Sequence, residues 1–246
     1  EILKEARHLI TNSYKEIWLL GQNVNNYSSP SDTSFNFAKL LDAVNGIKGD
    51  FWVRFTSPHP KDFTDGFVET MAKCGKVTPY LNLPVQAGDD KILRKMNRPY
   101  TARRYKLLVK KIRAAFKKNR DGLERNIALS TDIIVGFPTE TKKQFQNTAE
   151  LMEELKYDMA YISQYSRRPG TKAEKLKDDV PKKEKEKRWQ ILNDALRESA
   201  SEKSKKFIGE ASKVLVENQK NGFLIGKNRH YKTVHFQGPR NLIGKF

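Results

Sequence analysis

Three short stretches of this 246-residue chain set polar groups directly after apolar runs. They are Gly21-Gln22-Asn23-Val24-Asn25, Gln86-Ala87-Gly88-Asp89-Asp90, and Asp132 leading into Gly136-Phe137-Pro138. A ring of amides and carboxylates at one end of a sheet suits a small-molecule or cofactor pocket. Other chemistries find less support. His8, His59, His230 and His235 keep no metal-ligand spacing. There is no Gly-x-Ser-x-Gly elbow and no Walker loop. Cys74 is the single cysteine, which excludes an intrachain disulfide and a cysteine-built cluster or zinc site. At the end of Met71-Ala72-Lys73-Cys74-Gly75 it reads as a packed structural thiol.

The elements that must position these loops alternate between helix and strand. Ile2, Leu3, Ala6, Leu9 and Ile10 keep helical spacing, and Ile17-Trp18-Leu19-Leu20 reads as a buried strand. Helices follow through Phe37–Val44, Phe67–Met71, Ile92–Met96 and Tyr105–Phe116, with strands over 51–55, 80–85 and 127–135. Thr141 and Gln144 have capping-box spacing before a helix with Phe145, Ala149, Met152 and Leu155 on one face, and a strand over 159–165 closes the series. Alternation of this kind predicts an α/β fold with a parallel sheet and functional residues in the loops after the strands. Opening on a helix with no strand before it, the series suggests that a first strand is missing. A charged helix begins at Pro181-Lys182-Lys183-Glu184-Lys185-Glu186-Lys187-Arg188; its apolar stripe is Trp189, Leu192 and Leu196, and its charges read as a solvated face. The segments 212–217, 223–227, 233–236 and 241–246 read as strands of a small antiparallel barrel.

Forty-seven Lys and Arg against 29 Asp and Glu leave a formal charge of +18, which favours polyanions and RNA in particular. No apolar run is long enough to span a bilayer and no signal-peptide pattern opens the chain, so a cytoplasmic protein without a membrane partner is expected.

The segments Leu20-Gly21-Gln22-Asn23-Val24-Asn25-Asn26-Tyr27, Arg54-Phe55-Thr56-Ser57-Pro58-His59-Pro60, Leu83-Pro84-Val85-Gln86, Ser130-Thr131-Asp132-Ile133-Ile134-Val135-Gly136-Phe137-Pro138 and Tyr165-Ser166-Arg167-Arg168-Pro169-Gly170-Thr171 stand in order along nearly the whole chain. Together they resemble the signature of the radical SAM methylthiotransferases of MiaB type, the tRNA 2-methylthio-N6-dimethylallyladenosine synthases. The resemblance implies a partial radical-SAM (β/α)6 TIM-like barrel lacking its first strand over residues 1–180. A linking charged helix over 181–206 and a truncated all-β TRAM (OB-like) RNA-binding domain over 207–246 would follow. It implies insertion of a methylthio group at C2 of N6-isopentenyladenosine beside the anticodon. The cofactors would be S-adenosylmethionine and two 4Fe–4S clusters, and the partners tRNA with an isopentenylated anticodon stem-loop and an electron donor such as flavodoxin or ferredoxin. The family's two cysteine triplets are absent, so an incomplete sequence is expected, one that binds no cluster and shows no turnover by itself.

Residue by residue, the resemblance gives Gln22 and Asn23 the ammonium of S-adenosylmethionine, Gln86 and Arg98 its ribose or carboxylate, and Asp132 and Gly136 further contacts with it. No residue of the chain is assigned as an acid or base catalyst. RNA contacts are expected from Lys227, Arg229, Lys232 and Arg240, with Tyr231 and Phe236 among them as candidates for base stacking. Two departures stand out. Thr139 replaces the family's usual Gly, where a Cβ disfavours positive φ. Lys227 stands where the family often has Arg, which keeps the charge and loses the fork. The alternatives are a non-catalytic RNA-binding relative, or a methylthiotransferase acting on another tRNA nucleoside or on a ribosomal protein.

Overall fold

A computed structural model of the chain describes residues 1–246. In chain order the elements are α1 (Ile2–Thr11), β1 (Glu16–Leu19), α2 (Phe37–Asn45), β2 (Trp52–Phe55), α3 (Asp65–Lys73), β3 (Tyr80–Asn82), α4 (Asp90–Lys95) and α5 (Ala102–Asn119). They continue with β4 (Ala128–Val135), α6 (Lys142–Leu155), β5 (Met159–Gln164), α7 (Lys182–Ser204), β6 (Val214–Lys220), β7 (Phe223–Asn228) and β8 (Thr233–Phe236). Local signals account for most of these bounds. The Asn36 side chain caps α2 by accepting from Lys39 N, and Thr64 caps α3 by accepting from Phe67 N. The capping box of α6 is formed as its spacing predicts, with Gln144 N on Thr141 Oγ1 and Thr141 N on Gln144 Oε1.

The chain groups into two compact units. The first comprises Glu1–Leu81, Ile112–Ala128 and Phe207–Phe246. In it β1 and β2 pair in parallel, Ile17 opposite Val53 and Leu19 opposite Phe55. Phe37, Phe55 and Phe67 meet edge-on or tilted with centroids 5.4–5.9 Å apart, a core built from α2, β2 and α3. Strands β6, β7 and β8 form a separate antiparallel sheet in that order, with a register shift between Val216 and Asn218. The stretch expected as a fourth strand there, 241–246, instead starts within a 3-10 turn over Arg240–Leu242. Beyond that turn it runs beside β6 through two backbone bonds, Gly244 N to Val216 O and Val216 N to Lys245 O. What the structure shows is an antiparallel sheet of three strands.

The second unit comprises Asn82–Lys111 and Leu129–Lys206. Strands β4 and β5 are parallel in register from Ser130 opposite Met159 to Val135 opposite Gln164, and the sheet order is β3-β4-β5. Strand β3 stops at Asn82, short of the expected residue 85, because Pro84 has no N–H to give a ladder. The chain rejoins β4 at Gln86, which bridges Ile133. Helix α7 departs most from expectation. Lys185 and Arg188, read as part of a solvated face, are buried. Each has an anion to meet: Lys185 Nζ lies 2.7 Å from Asp178, and Arg188 Nη1 lies 2.7 Å from Glu140, whose side chain is 1% exposed. Buried cations persist only when paired and hydrogen-bonded, and these are.

Candidate functional site

In the second unit, Ser130, Asp132 and Ile134 share one face of β4, because side chains alternate along a strand. Parallel register puts Met159, Tyr161 and Ser163 of β5 on the same face, where Tyr161 is 50% exposed. Asn82 ties this face together: its Nδ2 donates to Asp132 Oδ2 at 3.1 Å and its Oδ1 accepts from Ser130 Oγ at 2.7 Å. Asp132 therefore sits in mid-strand, not in the loop after it, and one of its oxygens holds Asn82.

Gln86 adopts φ +71°, donating its N–H to Asp132 O and accepting from Ile134 N. It lines a cavity of about 490 Å³ together with Arg98, Ile134, Phe137 and Ser163. Arg98 is carried by the tight bend after α4, where Asn97 takes φ +56° and Arg98 N bonds Leu93 O. Its Nε is buried and meets no acceptor. A buried, unpaired guanidinium nitrogen on a cavity wall is a site for a carboxylate or another anion. Gly136 works through its backbone: φ is +68°, its N–H donates to Glu140 Oε2 at 2.7 Å, and the Lys185 side chain occupies the space a Cβ would need. Tyr100 Oη donates to Val85 O, and burial pushes that phenol up to about 12. The carboxylates of the middle loop serve the fold. Asp89 Oδ1 caps α4 at Lys91 N and Ile92 N while its Oδ2 holds Asn147, and Asp90 Oδ1 accepts from Ala102 N.

In the first unit the loop after β1 is stitched to the loop after β2. Asn25 Oδ1 accepts from His59 N and its Nδ2 donates back to His59 O, while Asn23 Nδ2 donates to Asp62 Oδ2 at 2.6 Å. Asn23 Oδ1 is buried without a donor, and Gln22 is exposed. A cavity of about 450 Å³ adjoins this loop, walled by Ala6, Ile17, Leu19, Val24 and Phe37. An orphaned amide oxygen is an acceptor in want of a donor such as an ammonium.

Residues 1–152 match the radical SAM superfamily. The chain belongs to that superfamily. It is 45% identical over 246 residues to a tRNA-2-methylthio-N(6)-dimethylallyladenosine synthase of Clostridium botulinum (strain Langeland), an alignment covering 98% of this chain and 53% of that protein. It is 43% identical to the synthase of the same name from Geobacillus kaustophilus, over 100% of this chain and 45% of that one. The chain thus spans about half the length of the curated relatives it matches. Coproporphyrinogen III oxidase (HemN) of Escherichia coli, a radical SAM enzyme, shares the fold at TM-score 0.50 and 16% identity, over 94% of this chain and 58% of that one. The alternating elements are those of a radical SAM, TIM-like domain.

Membership of the radical SAM superfamily implies S-adenosylmethionine and an iron–sulfur cluster. The residues present suit the first. Within the second unit, Arg98 Nε offers an unused donor for a carboxylate on the cavity wall beside Gln86. They do not suit the second: no three His, Cys, Asp or Glu gather to hold a metal. The lone Cys74 is buried at the end of α3, with its thiol pushed up to about 11 by desolvation. That makes it an inert packed sulfur.

The basic residues near the C-terminus divide into two groups. Lys227 Nζ bonds Thr233 Oγ1 and lies 4.8 Å from the Tyr231 ring, Lys232 lies over Phe207, and Arg240 is exposed. Arg229 turns inward instead. Its Nε pairs with Glu124 at 2.5 Å and its Nη2 donates to Gly75 O, so this guanidinium holds the first unit together and offers little to phosphate. Tyr231 is likewise engaged, stacked on Tyr80 at 4.7 Å and edge-on to Trp18. Phe236, half-buried, lies opposite Leu224.

Sequence reasoning missed Arg54. In the sequence it stands only within the Arg54–Pro60 motif, yet it is 1% exposed and anchors the first unit. Its guanidinium donates to Glu16, Thr78, Asn228 O and Arg229 O, and the rings of Trp18, Trp52, Tyr80 and Tyr231 lie 5.0–5.8 Å away. The available signal was a lone Arg inside the apolar run Phe51-Trp52-Val53-Arg54-Phe55.

Proposed function

We propose that the protein to which these residues belong is a tRNA methylthiotransferase that replaces the C2 hydrogen of N6-isopentenyladenosine, beside the anticodon, with a methylthio group. The observation that carries this reading is 45% identity across 98% of the chain to synthases of that name. The purine C2–H bond has no acidic or basic handle, so such a reaction asks the protein for binding, orientation and exclusion of water. When bound, S-adenosylmethionine supplies the radical chemistry of its superfamily. In the second unit Arg98 takes the carboxylate, with Gln86 and the free oxygen of Asp132 as polar partners. Gly136 keeps the β4 end at the shape that its backbone bond to Glu140 fixes. In the first unit Gln22 and Asn23 are amide acceptors for an ammonium.

The reading extends to two 4Fe–4S clusters held by cysteines that this stretch does not contain, and to an electron donor such as flavodoxin or ferredoxin. It treats β6–β8 as part of a TRAM-like, OB-like RNA-binding domain after a barrel lacking its first strand. There Lys227, Lys232 and Arg240 face the RNA, with Arg229 bracing them from within. The substrate is tRNA with an isopentenylated anticodon stem-loop, which places the protein in the cytoplasm.

The test is complementation by the complete parent gene in a bacterial host without its own methylthiotransferase, with nucleosides of digested tRNA read by mass spectrometry. 2-Methylthio-N6-isopentenyladenosine is expected. Unmodified N6-isopentenyladenosine, with the protein present and its clusters loaded, would refute the assignment.

A further inference from the structure

The cavity beside Gln86 carries a charge pattern that a cofactor carboxylate alone does not explain. Lys95, Arg98, Arg168 and Lys172 line it, and no carboxylate does. Arg98 stands apart from the rest, with its Nε buried in the wall. Arg168 and Lys172 are exposed at the rim, and neither meets an acidic partner. They belong to a turn that is closed by its own bonds. Thr171 Oγ1 donates to Arg168 O at 2.9 Å, Tyr165 Oη donates to Ala173 O at 2.9 Å, and Gly170 takes φ +79°. The nearby carboxylate of Glu174 is drawn away from the rim, accepting from Gly170 N at 2.8 Å. The turn is anchored to the sheet through Tyr165, which is 8% exposed and packs edge-on against Phe137 at 5.3 Å.

A single small ligand with one carboxylate needs one of these cations, and Arg98 is the one with a buried, unused donor. The two on the rim face solvent at the same opening. A nucleotide extruded from a stacked strand brings its base into a pocket and leaves its flanking phosphodiesters at the edge. Cations that position a strand in this way are exposed, unpaired and held on a rigid turn. We infer that Arg168 and Lys172 form a phosphate-holding rim that grips the RNA backbone on either side of the target nucleotide, a second RNA contact distinct from the β6–β8 sheet. The inference rests on the tRNA reading above and adds where the strand is held.

The test uses the complete protein to which these residues belong and a fluorescein-labelled anticodon stem-loop RNA, with affinity read by anisotropy across a salt series. The variants are Arg168→Gln with Lys172→Gln, the conservative pair Arg168→Lys with Lys172→Arg, and a charge-matched control, Lys117→Gln with Lys118→Gln, on the exposed face of α5. Circular dichroism checks that each is folded. Removing both rim cations is expected to weaken binding roughly tenfold and to lower the salt slope by about 1.4. The control should stay within about threefold, as for cations that meet no phosphate, and the conservative pair should retain the wild-type slope. If the wild type binds RNA and the rim variant matches the control, the rim assignment falls and the tRNA reading stands. If the wild type binds no RNA, both fall. Equilibrium dialysis with S-adenosylmethionine supplies the remaining arm. Rim variants that lose it while keeping RNA affinity would reassign these cations to the small ligand and overturn the inference.

Discussion

Nε of Arg54 lies 2.6 Å from Oε1 of Glu16, and the Arg54 side chain is completely buried while that of Glu16 is 14% exposed. The pair joins β1 to β2 from inside, and the remaining Arg54 donors reach Thr78 Oγ1 and the backbone carbonyls of Asn228, the last residue of β7, and Arg229, the one after it. Replacing Arg54 by Leu strands a mostly buried carboxylate, removes the guanidinium donor from Arg229 O, and leaves Asn228 O with the Tyr231 N–H. A loss of about 3–5 kcal/mol in urea unfolding is expected. Pairing it with Glu16→Gln should recover part of that loss. A midpoint unchanged within error in Arg54→Leu would show that this pair does not support the unit.

Gly88 lies where α6 comes closest to the loop after β3. A Cβ built there meets Asn147 O at 2.5 Å and Thr148 Cα at 2.6 Å, and the Gly88 N–H donates to Thr148 Oγ1. These are backbone atoms of a helix and cannot swing aside. Gly88→Ala is expected to cost about 1–3 kcal/mol, the range for overpacking. A thermal midpoint equal to that of wild type would contradict so close a contact.

Thr139 takes φ +71° in spite of its Cβ. Its N–H donates to Asp179 Oδ1 at 2.7 Å, and its hydroxyl meets Lys95 Nζ, contacts that hold it in the left-handed region. Left-handed backbone costs a residue with a Cβ about 1–2 kcal/mol, and glycine returns some of that in unfolded-chain entropy. Thr139→Gly should therefore raise stability by about 0.5–1 kcal/mol. A destabilised variant would mean that the Lys95 contact outweighs the strain.

Cys74 gives a pH signature. Burial is the main cause that lifts its thiol from 9.0 to about 11, with the neighbouring Asp42 carboxylate adding to it. In the native state the proton is kept where the unfolded chain has lost it. The contribution to stability is therefore full below pH 9, falls as pH rises from 9 to 11, and levels off above. The stability difference between wild type and Cys74→Ala should shrink over that window, on the order of 1–3 kcal/mol. Iodoacetamide at pH 8 should label Cys74 only after unfolding. A flat difference, or fast native labelling, would place the thiol in contact with water.

The cavity makes its own demand on Arg98. Arg98→Lys keeps the charge and loses the fork, and Arg98→Gln loses both. Binding of S-adenosylmethionine by the chain, read by equilibrium dialysis, should weaken about tenfold or more in Arg98→Gln, since charge-assisted hydrogen bonds contribute roughly 1.5–3 kcal/mol. Equal affinities in the wild type and both variants would free Arg98 of that role.

Much of this molecule follows from local rules that a sequence carries openly. Apolar spacing places α2 at Phe37, Leu40, Leu41 and Val44, all of them buried, and Thr141 with Gln144 marks the start of α6 to the residue. Such signals are legible because the groups that cap a helix or share its face lie within a few positions of one another. Of the loops that composition singles out, Gly21, Asn23 and Val24 line one cavity and Gln86 and Phe137 the other, while Asp132 and Gly136 line neither. The fate of individual charges was not legible. Arg54 and Glu16 are 38 positions apart, Arg188 and Glu140 are 48, and Arg229 and Glu124 are 105. Arg54 alone carries a local hint, its apolar neighbours; nothing local distinguishes Arg188 or Arg229 from Arg168 or Lys172, which stay in water. The same holds for Asp89 and Asp90, read as part of a polar ring and found capping backbone. A row of Lys and Arg fixes the net charge and so the attraction to polyanions. Which of those cations meets an anion within the fold depends on long-range packing, because a charge can leave water only where a distant partner is delivered to it.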